Sequence, residues 1–421
     1  MVTTLSWLWR EADAEAPGTR PPAWRLALAL GLFGVLVAGW LAYAEQAHRV
    51  HQLDIDGWGV IATRMQAPGA RFTDLFHDPS FWRGPIVPFV FGVVMAVFQA
   101  DASILVFNAV VTGLAAAVFV ATLTWLGVTP ILAGAAVACW LLYLPHHFVY
   151  GYWLAEPIVA LFVALLIAAV SLALVKRHAG WAAAAGLVAG LLILSRPPML
   201  LALGAITLFL AFSRRGSIKL GATFAVVLAL VYLPWPIRNL AAHGALIPFT
   251  GDGGQALFEG TWIPGDARTM GELRKMPEFR AIEERMQVLP PVARYKEWQR
   301  MASAQIAAEP AGQARLVVRK ALRFWVFLDP YGWRPSMKTA AAAVVLLPFA
   351  VLGAWRARRT LVGQIAAIMI LAVWAFHALV YSELRYNYSV LTLTIVLAGI
   401  GFASLGSLLK GRTGNHASSL V

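Results

Sequence analysis

HQLDIDGWGVIATRMQAPGARFTDLFHDPSFWRGPIVP, residues 51–88, is the first long polar interval in a chain that is otherwise mostly apolar. It carries two carboxylates two residues apart, Asp54 and Asp56, and closes on a basic turn rimmed by aromatics, Phe81-Trp82-Arg83-Gly84-Pro85. Just upstream, Trp24 to Ala44 stays apolar for about 20 residues, the length that crosses a bilayer. The interval therefore lies where the chain emerges from a first membrane span, with acid placed near base.

Composition sets the class. Of 421 residues, 60% are hydrophobic and only 13% charged, about half the charged fraction of an ordinary soluble domain. The chain reads as a polytopic membrane protein. Its formal net charge of +13 and pI near 10.2 do not indicate nucleic acid, because the basic residues fall in short clusters between apolar runs, the pattern of membrane orientation. A single cysteine, Cys139, lies inside an apolar run and excludes an intrachain disulfide. Ala42-Tyr43-Ala44 has the small-x-small form of a signal-peptidase site, but the preceding apolar run is longer than a signal core.

Further apolar runs occupy 103–125, 131–144, 157–175, 181–194, 199–212, 220–235, 339–354, 362–381 and 390–409. Some are shorter than about 17 residues and need their flanks, or a thin region, to span. Residues 85–100 are apolar but only as long as a re-entrant or interfacial helix. If they do not cross, Lys176-Arg177, Arg214-Arg215, Arg356 to Arg359 and Lys410 to Arg412 all share the side of the N-terminus, as short basic loops should. The expectation is an all-α integral membrane protein with about ten full spans, a re-entrant or interfacial helix after the first, and both termini cytoplasmic.

That topology divides the chain into a cytoplasmic segment 1–23, a bundle 24–237 holding an outer loop 45–102, an extracytoplasmic and mostly helical lobe 238–337, C-terminal membrane helices 338–409 and a cytoplasmic tail 410–421. The tail is rich in Gly and Ser and is expected to be disordered. Within the lobe, Gly/Pro turns precede a charged helical stretch whose signs alternate, the mark of a solvated face. The outer face then gathers Asp54, Asp56, Arg83, Glu156, Arg196, Arg238, Arg385 and Tyr386. Charged groups at membrane depth are costly and usually face a cavity or pathway.

Each of these residues also has a structural reading. Asp54 and Asp56 suit the cap of a helix beginning near Trp58. Arg83 can snorkel to lipid headgroups beside Trp82, and Arg196, Arg238 and Arg385 can anchor span ends in the same way. Glu156 before Pro157 suits a helix start. Glu383 can simply pair with Arg385. His146-His147 beside an outer turn invites a metal site with an aspartate, but adjacent histidines at an interface are more often merely polar. Asn387-Tyr388-Ser389 fits the glycosylation sequon but lies at a span entrance.

The order of the Asp loop, Arg83-Gly84-Pro85-x-x-Pro88, Ala155-Glu156, Ser195-Arg196-Pro197, Pro234-Trp235-Pro236-Ile237-Arg238-Asn239 and Leu384-Arg385-Tyr386 resembles the bacterial branch of the GT-C glycosyltransferases. These are membrane relatives of the protein O-mannosyltransferases and of the lipid A aminoarabinose transferase. The resemblance runs from about Asp54 to Tyr386 and implies a GT-C-like fold in a bacterial plasma membrane with its active site outward. It also implies a polyprenyl-phosphate sugar donor, a glycan, lipid or protein acceptor, and an inverting single displacement. The family usually has Asp-Glu in direct succession where this chain has Asp54-Ile55-Asp56-Gly57, which leaves open which aspartate is the base. Metal use varies across the superfamily, so no metal ligand is assigned and a divalent cation is left open.

Elementary chemistry points the same way. Sugar transfer needs a carboxylate to take the acceptor hydroxyl's proton. A phosphate leaving group needs cations rather than a protonating acid, and arginine offers a fork matched to it. Asp56 is the first choice for the base and Asp54 the second. Arg83, Arg238 and Arg385 are candidates for the phosphate, while Glu156 and Arg196 support the cavity. A flippase or transporter of lipid-linked sugars would also gather Arg and Asp, though nearer mid-membrane and with two similar halves. A polysaccharide polymerase or ligase using a polyprenyl-diphosphate donor is the other alternative.

Overall fold

In the computed structural model, which describes residues 23–47, 54, 56–63, 83–98, 102–146, 148–328 and 336–417, every regular element is helical. Helices α1 (Trp24–Ala47), α2 (Trp58–Ala62), α3 (Ile86–Phe98), α4 (Ala102–Trp125) and α5 (Pro130–Leu141) form the first half of the bundle. The second half comprises α6 (Glu156–Lys176), α7 (Ala179–Ser195), α8 (Leu200–Phe212), α9 (Ile218–Tyr232) and α10 (Pro234–His243).

Helix α1 shows why these sequences fold at a membrane. Leu28, Leu32, Leu36 and Trp40, four residues apart, form one exposed apolar stripe, while Ala27, Ala38 and Ala42 on the other side are buried. Large apolar residues facing outward and small ones facing inward are what a bilayer requires, since lipid gives helices no hydrophobic reason to associate and close packing must do so. Among the described residues, seven helical segments are long and apolar enough to cross: Trp24–Glu45, Ala102–Trp125, Glu156–Lys176, Ile218–His243, Met337–Arg356, Leu361–Leu379 and Leu384–Leu405. The expected runs 131–144, 181–194 and 199–212 correspond to shorter helices of 12, 17 and 13 residues.

Helix hairpins sort the charges. The amide of Ala23, at the start of α1, donates to Thr124 Oγ1 near the end of α4, so these two helices run in opposite directions. Continuing the alternation places Lys176-Arg177, Arg214-Arg215 and Arg356 to Arg359 at one end of the bundle. The ends carrying Asp56, Glu156, Arg196 and Arg385 form the other. Helix α3 is 13 residues long, about 20 Å at 1.5 Å per residue. It starts against the end of α7, where a Cβ on Gly84 would meet the Leu194 carbonyl at 2.0 Å, and ends a few residues before α4. Both of its ends are therefore at the site end, as a helix that dips or lies at the interface would have them.

The lobe follows as α11 (Asp252–Thr261), α12 (Met270–Leu273), α13 (Pro277–Gln287), α14 (Pro291–Ala308) and α15 (Pro310–Arg323). It has its own core of Phe258, Trp262, Leu273, Phe279, Met286, Trp298 and Ala302. Polar ties fasten it to the bundle. Lys320 Nζ donates to the Leu379 and Val380 carbonyls at 2.7 and 3.2 Å, and Asn387 Nδ2 donates to the Phe324 carbonyl at 2.7 Å. The last helices are α16 (Met337–Arg356), α17 (Leu361–Leu379) and α18 (Tyr388–Ala417). Beyond Lys410, where the composition suggested a disordered tail, α18 stays helical to Ala417.

Helices α16 and α18 meet through a reciprocal glycine contact. A Cβ on Gly353 would come 1.7 Å from the Leu397 carbonyl, and one on Gly401 would come 2.0 Å from the Phe349 carbonyl. By contrast, a Cβ on Gly39 meets nothing within 4 Å. Gly353→Val should therefore force α16 and α18 apart at a cost of about 1–3 kcal/mol and lower the melting temperature of the detergent-purified protein. Gly39→Ala should leave it unchanged or slightly raised. Equal melting temperatures for both variants would contradict this packing.

Candidate active site

The polar loop is folded by its own side chains. Asp54 Oδ2 accepts the Gly59 amide at 2.8 Å, capping α2. Gly57 supplies the turn before it, at φ +76°. Trp153 fixes the helix from below, since a Cβ on Gly59 would lie 2.1 Å from its ring. Asp54 Oδ2 is thus used at α2, while the Asp56 carboxylate reaches Arg385 of the bundle.

Asp56 meets Arg385, which stands on the 3-10 turn Leu384–Asn387 before α18. Arg385 Nη1 donates to Asp56 Oδ2 at 2.9 Å and Nη2 to Oδ1 at 3.2 Å, a two-pronged pair. Nε of the same guanidinium donates to Glu383 Oε2 at 2.8 Å and lies 3.8 Å from Glu156 Oε1. Side-chain exposure is 11% for Arg385 and 16% for Asp56, so the pair is largely shielded but not sealed. Burial would raise the Asp56 carboxyl, but Arg385, Arg83 and Arg196 outweigh it and hold the group at about 2.

Two further arginines close the site. Arg83 donates to Asp252 at the start of α11 and to the Asp56 carbonyl, with its guanidinium 5.1 Å from the centre of the Trp58 ring. Arg196 lies 3.3 Å from Glu156 Oε1 and 4.3 Å from the centre of the Tyr386 ring. Asp56, Arg83, Glu156, Arg196, Arg385 and Tyr386 are therefore brought together from loop, helix start, helix end and 3-10 turn. Arg238 is engaged on its own helix instead, donating to Asn239 Oδ1 at 2.9 Å and lying over Trp235.

His146 is buried at the same end of the bundle. Its Nε2 lies 3.4 Å from the Leu384 carbonyl, its ring packs between Tyr143 and Tyr388, and burial pushes its imidazole down to about 3. His147, Phe81 and Trp82 lie outside the described residues. Among the described residues no group of three or more His, Cys, Asp or Glu side chains is placed to hold a metal ion. At the centre of Asp56, Glu156 and Glu383 stands the Arg385 guanidinium.

Four residues of the site were not singled out in the sequence. Glu383 was read only as a partner for Arg385, and Asp252 sat unremarked in a Gly-rich turn. Tyr381 links the lobe to the site: its hydroxyl accepts the Met270 amide at 2.8 Å and donates to Glu383 Oε1 at 2.7 Å. Glu259, on α11, is buried where α11 touches the end of α17, for a Cβ on neighbouring Gly260 would lie 1.7 Å from the Val380 carbonyl. No sequence pattern distinguishes a carboxylate on a soluble-looking helix that folds back onto the bundle.

Burial, opposed by a hydrogen bond from Gln255 and reinforced by the charge of Glu383, pushes Glu259 up to about 8. Because the folded value lies above the ordinary 4.5, the folded state holds a proton that the unfolded chain has lost between those pH values. Stability contributed by this group is fully present below pH 4.5 and declines as pH rises to about 8. Glu259→Gln, which stays neutral, should flatten the fall in melting temperature between pH 5 and pH 8. An unchanged slope in the variant would contradict a buried, protonated Glu259.

A comparison with protein-family models finds no match to this chain, and neither does a comparison with curated proteins.

Proposed function

We propose that the chain is a glycosyltransferase of the bacterial plasma membrane, with a GT-C-like bundle of about ten spans and its site end and lobe facing outward. It moves a sugar from a polyprenyl-phosphate donor to the hydroxyl of a glycan, lipid or protein acceptor. The observation that carries this reading is the two-pronged Asp56–Arg385 pair, flanked by Arg83 and Arg196, at the bundle end opposite the basic clusters. That charge asymmetry supports an outward site through the rule that short basic loops remain cytoplasmic.

Carboxylate and phosphate present the same paired oxygens to a guanidinium fork. On this reading the donor phosphate replaces the Asp56 carboxylate on Arg385, with Arg83 alongside. The exchange releases Asp56 from the charges that hold it at about 2 and leaves it a stronger base beside the bound sugar. Asp56 takes the proton of the acceptor hydroxyl as that oxygen bonds to the anomeric carbon. The carbon–oxygen bond to phosphate breaks, its electron pair stays on the phosphate oxygen, and the arginines stabilise the charge of the departing polyprenyl phosphate. Asp54, whose Oδ2 accepts the Gly59 amide, is assigned to capping α2.

The test is transfer of radiolabelled sugar from a panel of polyprenyl-phosphate donors by purified protein. Asp56→Asn should lower turnover by roughly 10²–10⁴, the range for loss of a general base. Asp54→Asn, which keeps a good capping side chain, should stay within about tenfold of wild type. Equal turnover of Asp56→Asn and wild type would remove Asp56 as the base. Movement of labelled lipid across vesicles without product would favour a carrier.

A further inference from the structure

Glu156 stands out among the buried polar groups at the site. Its side chain is 5% exposed, and neither carboxylate oxygen accepts a hydrogen bond from any described residue. Its position at the start of α6 does not explain this, because a carboxylate serving the helix end would turn back to the free amides of the first turn. Nor do the arginines satisfy it. Arg196 is 3.3 Å away without hydrogen-bonding geometry and its guanidinium lies over Tyr386, while Arg385 is engaged with Asp56 and Glu383. The two cations neutralise the charge of Glu156 and leave its acceptor capacity unused. An ionised carboxylate offers about four lone-pair sites, and a buried one left without partners requires an explanation.

Other residues near the Asp56–Arg385 pair carry unfilled groups as well. The indole Nε1 atoms of Trp58 and Trp153, Arg83 Nε and Ser382 Oγ are also buried without a hydrogen-bond partner among the described residues. They belong to the same constellation, with Trp58 under Arg83, Trp153 beneath Gly59 and three residues before Glu156, and Ser382 next to Glu383. Donors, a two-way hydroxyl and a two-oxygen acceptor thus belong to residues that neighbour the Asp56–Arg385 pair or its partners. A ring bearing several hydroxyls matches that inventory, since each hydroxyl both donates and accepts. A lipid chain or a bare phosphate would leave Glu156 unsatisfied.

We propose that Glu156 is the residue that reads the transferred sugar, accepting hydrogen bonds from two adjacent hydroxyls of its ring, and that it thereby selects donors whose sugar has both hydroxyls free. This assignment rests on the glycosyltransferase reading. It gives Glu156 a role separate from that of Asp56: one carboxylate holds the ring and the other takes the acceptor proton.

The experiment uses the full-length purified protein, polyprenyl-phosphate hexose and pentose donors, and a monodeoxy analogue for each ring hydroxyl of the sugar that wild type transfers. A site built to bind a hydroxyl rejects the analogue lacking it by about 10⁴ or more. Wild type should reject analogues at two adjacent positions by at least roughly 10² in kcat/KM. Glu156→Gln should reduce those two ratios to within about tenfold and leave the ratios at other positions as they are. Glu156→Asp, which keeps the charge but withdraws the oxygens, serves the same readout if the glutamine variant does not fold. A full set of wild-type ratios retained in whichever variant folds would overturn the assignment, leaving Glu156 a charge partner satisfied by buried water, while the glycosyltransferase reading stands. No transfer by wild type from any donor would overturn that reading and this assignment together.

Discussion

Arg385 is the group on which the rest of the site depends. Its guanidinium is almost withdrawn from water at the end of an apolar bundle, and its bonds to Asp56 span 329 positions of sequence. A charge in that position has to be neutralised and hydrogen-bonded. Asp56 and Glu383 accept from it and Glu156 lies close by, which ties together the polar loop, the start of α6 and the entrance to α18. Removing one partner of a buried pair costs about 3–5 kcal/mol, whereas the intact pair gains little over a well-packed apolar substitute. Stability alone is therefore a weak reason for so much buried charge, and a site that exchanges ligands is a better one.

The same network carries the lobe. Met270, Tyr381, Glu383, Arg385 and Asp56 form a continuous hydrogen-bonded series from lobe to loop, and Arg83 makes a second tie through Asp252. Helix α11 thus has Asp252 at one end holding Arg83, and Glu259 at the other beside the end of α17. Defined bonds thus run between the Asp56–Arg385 pair and the lobe. The bland alternative, a lobe merely resting on lipid headgroups, would not need these buried contacts.

Much of the architecture was legible in the sequence because a bilayer imposes coarse rules. Apolar runs near the spanning length became helices, and within the short run after Arg83 a helix covers Ile86–Phe98. That Asp56, Arg83, Glu156, Arg196, Arg385 and Tyr386 come together follows a simple sequence signal, since ionisable residues at span ends are few. Asp54 and Asp56 could not be separated in sequence, since the difference depends on which of them reaches the Gly59 amide. Arg238 shows a similar limit. Its place after an apolar run resembles that of Arg196, but its own helix offers Asn239 and Trp235 as partners. Asp252, Glu259 and Tyr381 became visible only when the lobe was seen folded back on the bundle, a long-range packing outcome that no local pattern encodes.

The most direct measurement is a structure of the protein with a polyprenyl phosphate bound. The phosphate oxygens should lie within hydrogen-bonding distance of Arg385, with the two-pronged bond to Asp56 opened and the Asp56 carboxylate facing the space where the sugar would sit. A phosphate bound elsewhere, with Arg385 still paired to Asp56 through both nitrogens, would contradict this arrangement.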